Sequence, residues 1–206
     1  MTGWPRTDLC DLLGIEHPII QAPMASATTP ALAAAVSNAG GLGSHGCAAK
    51  TSDQVRADVA ALRDGTNHAF NINFFVHDAP VPNAEDETAM QQRLAPYYAE
   101  LGLGESPAAR SVFPIFGEEM LEVVRELAPP VVSFHFGLPE RDTIETLKEV
   151  GAIILASATT VREAVALEAG GVDAIIAQGW EAGGHRGTFL GGIESGTVGT
   201  FALVPQ

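Results

Sequence analysis

The segment Gln178-Gly179-Trp180-Glu181-Ala182-Gly183-Gly184-His185-Arg186-Gly187 carries four glycines in ten residues around a single histidine. Glycines at this density let backbone N–H groups come close to a flat ring or a phosphate. A histidine, whose pKa lies near working pH, can take a proton or donate a hydrogen bond to an anion. The same composition also describes a plain flexible loop with a solvated His185, and composition alone leaves both open. His135 lies between Phe134 and Phe136 at a predicted strand end, where it is either satisfied by a core partner or turned toward the mouth of the fold. Asn71 falls in the apolar run from Ala69 to Val76; an amide with two donor hydrogens and an acceptor needs partners that apolar neighbours cannot give, which points it at a ligand. In Gln21-Ala22-Pro23-Met24-Ala25, Pro23 can simply end a strand and Met24 fill a core gap, or the segment can line a ligand. For His17, His45, His68 and His77 the reading is a surface or supporting role. Cys10 and Cys47 form no CxxC and have no metal-ligand spacing around them, so they read as plain thiols, with no disulfide framework and no metal.

These residues depend on the elements that carry them. Short apolar or β-branched runs alternate with helical patterns along the chain, the signature of βα units and a parallel sheet. Strands are expected at Pro18–Ala22, Leu42–His45, Ala69–Val76, Val131–Phe136, Ala152–Ala156 and Val172–Ala177, with weaker strand-like material at Val112–Phe116. Helices are expected after Thr28-Thr29-Pro30, after the capping cluster Thr51-Ser52-Asp53 with Val55, Val59 and Leu62 on one face, and at Met120–Leu127, Pro139–Val150 and Thr160–Ala169. The residues with chemistry fall at the C-terminal ends of the predicted strands, where barrel enzymes bind their ligands. No GxGxxG follows the first strand, which argues against a doubly wound dinucleotide-binding sheet.

The expected fold is therefore α/β, a (β/α)8 TIM barrel with about six of its eight βα units in this chain. Residues 1–206 are read as one partial barrel domain, with residues 78–110 as an acidic helical insertion. Six barrel strands leave two unpaired edges, so a longer polypeptide, a homodimer or a complementing chain is expected to supply the rest. A formal net charge of −14 repels phosphate backbones and anionic membrane surfaces, so nucleic-acid and membrane partners are not expected. No apolar run reaches the roughly 18 residues of a membrane span, and the expectation is a cytoplasmic protein.

Five motifs in order, Pro18-Ile19-Ile20-Gln21-Ala22-Pro23-Met24, Asn38-Ala39-Gly40-Gly41-Leu42-Gly43, Phe70-Asn71-Ile72-Asn73-Phe74-Phe75, Ser133-Phe134-His135-Phe136-Gly137 and Gln178 to Gly187, resemble the nitronate monooxygenases, formerly 2-nitropropane dioxygenases. The last two look like the class I branch. The resemblance implies an FMN-dependent barrel that oxidises alkyl nitronates, such as propionate 3-nitronate, with dioxygen to a carbonyl compound and nitrogen oxides. It implies that Ala22, Pro23 and Met24 lie along the flavin ring, that Asn71 and Gln178 hydrogen-bond it, and that Gly183 and Gly184 bring backbone amides to it. His185 would be the active-site histidine, His135 a second polar contact to the nitro group, and Arg186 a local positive charge for the anionic substrate. Two readings compete: an FMN-dependent NADH:quinone or enoyl reductase of the same barrel family, and a non-catalytic barrel fragment.

Overall fold

The computed structural model describes residues 7–78, 81, 83–108 and 115–206. Five parallel strands form one sheet: β1 (Gly43–Gly46), β2 (Phe70–Phe75), β3 (Val131–His135), β4 (Ile153–Ala158) and β5 (Ala174–Ala177), in the order β1-β2-β3-β4-β5. Each strand pairs with its neighbour in sequence, and the order never reverses as it does in a doubly wound sheet. This is an α/β fold and an arc of a barrel.

The expected first strand, Pro18–Ala22, is corrected to a single parallel bridge, Ile20 to Leu42. Gln21 N–H donates to the Leu42 carbonyl at 2.9 Å and Leu42 N–H to the Ile19 carbonyl at 2.9 Å. Pro18 and Pro23 lack the N–H groups that a longer ladder needs. Of the weaker run Val112–Phe116, the first three residues lie outside the described ones, while Ile115 and Phe116 are not in a strand.

Local chemistry explains the helices. In α1 (Asp8–Leu13) the Thr7 hydroxyl caps the start and Gly14 ends it in a left-handed conformation. α2 (Pro30–Asn38) begins on the Thr29 cap with proline in its first turn. The capping box at Thr51 and Gln54 opens α3 (Ser52–Gly65), which buries Val55, Val59 and Leu62 as its periodicity predicts. The acidic stretch contains α4 (Ala84–Leu101), capped by Asn83, with Pro96 inside it and no buried residue. α5 (Glu118–Leu127), α6 (Arg141–Glu149) and α7 (Val161–Ala169) follow. Beyond β5 lie a 3-10 turn (Ile193–Gly196) and the short α8 (Thr200–Leu203). Among the described residues, no helix is long and apolar enough to cross a membrane.

Alternation along the strands sorts side chains between two layers. Ile72, Phe74, Val132, Phe134, Ile154 and Ala156 pack outward against α3, α5, α6 and α7 in the main core. Inward, Leu42, Val131 and Leu155 meet Cys10, Leu13 and Ile15, so α1 and the turn after it form an apolar floor under the sheet. Both cysteines are free and buried, and burial pushes the Cys47 thiol up to about 12, leaving it unreactive.

Of the two roles expected for His45, the surface one is corrected: the residue lies in the core. It is 1% exposed, and its Nε2 lies 2.9 Å from the Asp58 carboxylate on α3, which Lys50 also meets at 2.8 Å. Strand register decides this: His45 faces the helix layer, while Ser44 beside it faces inward.

Candidate active site

The inward face of the sheet is polar above its apolar floor. Asn71 and Asn73 of β2 are flanked by Ser44 of β1 and Ser133 of β3, and all four are buried. The Asn71 amide donates to Ser44 Oγ at 3.1 Å and Ser133 Oγ at 2.8 Å; Asn73 donates to the Ser133 carbonyl and hydroxyl at 3.1 and 3.0 Å. Two neighbouring strands thus supply the donor-side partners that the apolar run lacks. The acceptor side differs: Asn71 Oδ1 is buried and has no partner among the described residues, and so is Gln21 Oε1. An unsatisfied buried acceptor costs about 1–3 kcal/mol.

At the C-terminal end of the sheet, Ala22 and Met24 are exposed and Pro23 half-buried. Their turn is held by Thr28, whose hydroxyl accepts from Gln21 Nε2 and from Met24 N–H, each at 3.2 Å. Phe136, directly after β3, takes a left-handed φ of 69°. Strain of this kind in a bulky residue collects at functional sites.

The glycine-rich loop is tied down at the His185 carbonyl and just beyond it. Gln178, following β5, donates through Nε2 to the His185 carbonyl at 2.8 Å and accepts from Gly187 N–H at 2.8 Å. His135 Nε2 donates to the same carbonyl at 3.0 Å. That donation puts the proton on Nε2. Burial lowers the His135 pKa, with the His185 carbonyl opposing the shift and the His185 ring adding to it. His135, half-buried at the end of β3, is thus partnered by the backbone of the other histidine. The His185 ring is exposed and stands edge-on to Phe75 at 5.3 Å and to Phe136 at 6.1 Å between ring centroids.

Arg186 is corrected from a charge offered to substrate. Its guanidinium donates to the carbonyls of Gln178 at 2.8 Å, Gly179 at 2.6 Å and Gly196, and lies over the Trp180 ring. It closes the loop on itself. Gly183 and Gly184 are exposed, and a Cβ on either would meet nothing within 4 Å. No packing within the described protein requires glycine at 183.

Gly187 is different, because a Cβ there would sit 2.6 Å from His135 Cε1 and 3.0 Å from Nδ1. The loop backbone lies flat on the imidazole. Gly187→Ala is expected to push the His135 ring off the His185 carbonyl, costing about 1–3 kcal/mol. Thermal unfolding measures the cost, and loss of the His135 Nε2–H hydrogen bond in NMR spectra marks the displacement; an unchanged bond would refute it.

Sequence reasoning missed one charged residue. Glu163 of α7 is 1% exposed; its carboxylate accepts from Thr159 N–H and hydroxyl at 2.7 and 2.6 Å and from the amides of Phe189 and Leu190 at 2.7 and 3.1 Å. Burial pushes its pKa up, the hydrogen bonds from Thr159, Phe189 and Leu190 outweigh this, and the net shift is downward. The available signal was Thr160-x-x-Glu163, the spacing of a capping box.

The nitronate monooxygenase family model matches residues 6–206. The chain belongs to the nitronate monooxygenase family. It is 48% identical over 197 residues to a nitronate monooxygenase of Paraburkholderia phytofirmans, covering 95% of this chain and 54% of the relative. To one of Pseudomonas aeruginosa it is 45% identical over 195 residues, 94% of this chain and 56% of the relative. This member of the family thus spans about half the length of the curated relatives it matches. Among solved structures it resembles a nitroalkane oxidase from Streptomyces ansochromogenes, with a TM-score of 0.79, 39% identity and coverage of 94% of this chain and 55% of that one. It also resembles FabK from Thermotoga maritima, with a TM-score of 0.65, 33% identity and coverage of 90% and 48%.

Proposed function

We propose that the chain carries the histidine-bearing part of an FMN-dependent enzyme that oxidises alkyl nitronates, propionate 3-nitronate among them, with dioxygen to a carbonyl compound and nitrite or nitrate. The observation that carries this reading is His185: an exposed imidazole on a family motif, fixed through its own carbonyl by Gln178 and His135. The orphaned acceptors Asn71 Oδ1 and Gln21 Oε1 on the inner face suit the ring N–H of a flavin. Ala22, Pro23 and Met24 would lie along that ring, and the open backbone at Gly183 and Gly184 would meet the cofactor. When bound, FMN would supply the electron-transfer chemistry that links substrate oxidation to dioxygen.

The chain's own residues do the rest. His185 takes the carbon-bound proton of a neutral nitroalkane, the C–H electron pair passing to the nitro group, or orients a preformed nitronate. Phe75 and Phe136, whose ring centroids are 5.0 Å apart, pack together against one side of that imidazole and fix its tilt. Gln178 hydrogen-bonds the loop, and we assign its amide to holding His185 in place instead of contacting the flavin. His135, its Nε2–H already donated and its Nδ1 edge under Gly187, supports the same carbonyl and does not act as a second contact to the nitro group. Beyond β5, whose Ile175 and Ile176 are each 38% exposed, we assign the free sheet edge to pairing with strands of a longer or partner chain.

The test is the absorbance spectrum of the purified protein, followed by anaerobic propionate 3-nitronate and, separately, NADH. Flavin absorbance that bleaches with the nitronate and not with NADH is the expected result. Bleaching by NADH alone would favour the reductase reading, and a colourless protein that takes up no FMN would favour a non-catalytic fragment. Asn71→Leu is expected to weaken FMN retention about tenfold, the worth of one hydrogen bond, as equilibrium dialysis would measure. Unchanged retention would assign Asn71 to the Ser44–Ser133 network alone.

A further inference from the structure

We propose that Glu163 is a positioning residue for His185, the second of two anchors that hold the glycine-rich loop over the sheet. This deepens the function proposed above and rests on it for the role of His185. The first anchor, Gln178 with His135, grips residues 185 and 187 directly. The second lies just downstream, where one carboxylate oxygen of Glu163 takes both the Phe189 and Leu190 amides. Its other oxygen takes the amide and hydroxyl of Thr159, the residue that follows β4. One side chain therefore joins the end of a strand, the first turn of α7 and the backbone four residues beyond His185.

The contacts between the anchors depend on both. Thr188 Oγ1 lies 2.9 Å from Thr159 Oγ1, and the Phe189 ring packs 3.5 Å from where a Cβ on Gly137 would stand. With Phe189 fixed, Gly187 is pressed onto the His135 ring, and that ring is held beneath the His185 carbonyl. The four donors to Glu163 are all neutral, and no cation lies among them. A carboxylate with no counter-ion among its partners is an expensive way to fill a core. What it gains over an apolar residue is directional: four hydrogen bonds that fix the backbone at Thr159, Phe189 and Leu190.

Glu163→Gln keeps the shape and replaces one acceptor oxygen with an amide group that faces two donors. In ligand-free protein, the Phe189 and Leu190 amides are expected to exchange hydrogen at least ~10-fold faster, with β3 amides unchanged. The His185 imidazole resonances should shift and broaden while those of His45 stay in place. Turnover of neutral nitroethane should fall more than that of ethylnitronate. Thr159→Val is the milder companion, removing one donor and keeping the charge; it should loosen the same amides by less and remains informative if Glu163→Gln does not fold. Loop amides that exchange at the parent rate in both folded variants, or His185 resonances that do not move, would overturn the proposal. A parent protein that turns over neither substrate would defeat the proposed reaction, and the exchange and resonance measurements would still decide the role of Glu163.

Discussion

His185→Asn is expected to lower turnover of neutral nitroethane by about 100- to 10,000-fold, the range that a positioned general base contributes, while ethylnitronate stays within about tenfold of the parent. The two substrates differ by one proton. Nitroethane must lose a carbon-bound hydrogen before it becomes the electron-rich species, and ethylnitronate has already lost it. Asparagine retains a hydrogen-bond donor for the anion and removes the base. The tethering of the loop makes the comparison clean, since Gln178 and His135 bind the carbonyl of residue 185 and not its side chain. Steady-state kinetics on both substrates check it, and equal losses on the two would refute proton abstraction by His185.

The largest effect on stability is expected far from that loop. Gly43→Ala should destabilise the fold by about 3 kcal/mol or more, lowering the melting temperature by roughly 10 °C for a chain of this size. A Cβ at position 43 would lie 1.9 Å from the Ala33 carbonyl oxygen and 2.8 Å from Ser37 Oγ. The obstacle is helix backbone, which cannot rotate aside as a side chain can. α2 rests this closely on β1 because Ser37 sits between two strands, accepting from Gly43 N–H at 3.1 Å and donating to the Ala69 carbonyl at 2.8 Å. Differential scanning calorimetry of Gly43→Ala measures the loss, and a melting temperature within a degree or two of the parent would show that α2 can withdraw from the sheet.

Much of the fold was legible because period and caps are local properties. Thr29-Pro30, Thr51 with Gln54, and the apolar face Val55, Val59 and Leu62 are written in consecutive residues, and the structure places helices there. The segment Pro18–Ala22 has the apolar run of a strand but forms one bridge, because such a run says nothing about how far a neighbour can pair with it. In the site, the loop from Gln178 to Gly187 stood out by composition, yet the direction of Arg186 did not. Whether a guanidinium faces a ligand or three carbonyls depends on how the loop closes, and that is set by residues as distant as Gly196. Glu163 was hidden for the same reason: two of its donors lie 26 and 27 residues downstream. His45 and Ser44 show the limit most simply, since a strand's phase decides which neighbour is buried among helices and which faces inward.

The uninterrupted strand order also bears on how the chain comes to be folded. Each strand docks on the one made just before it, so no ladder has to wait for a distant segment, and loop-closure entropy is lost in small instalments. During synthesis, β1 and β2 can pair around α3 before β3 has been translated, and each later unit adds to an existing edge. The growing edge stays open at every stage, which makes the newest strand the point most exposed to wrong partners until the next one arrives.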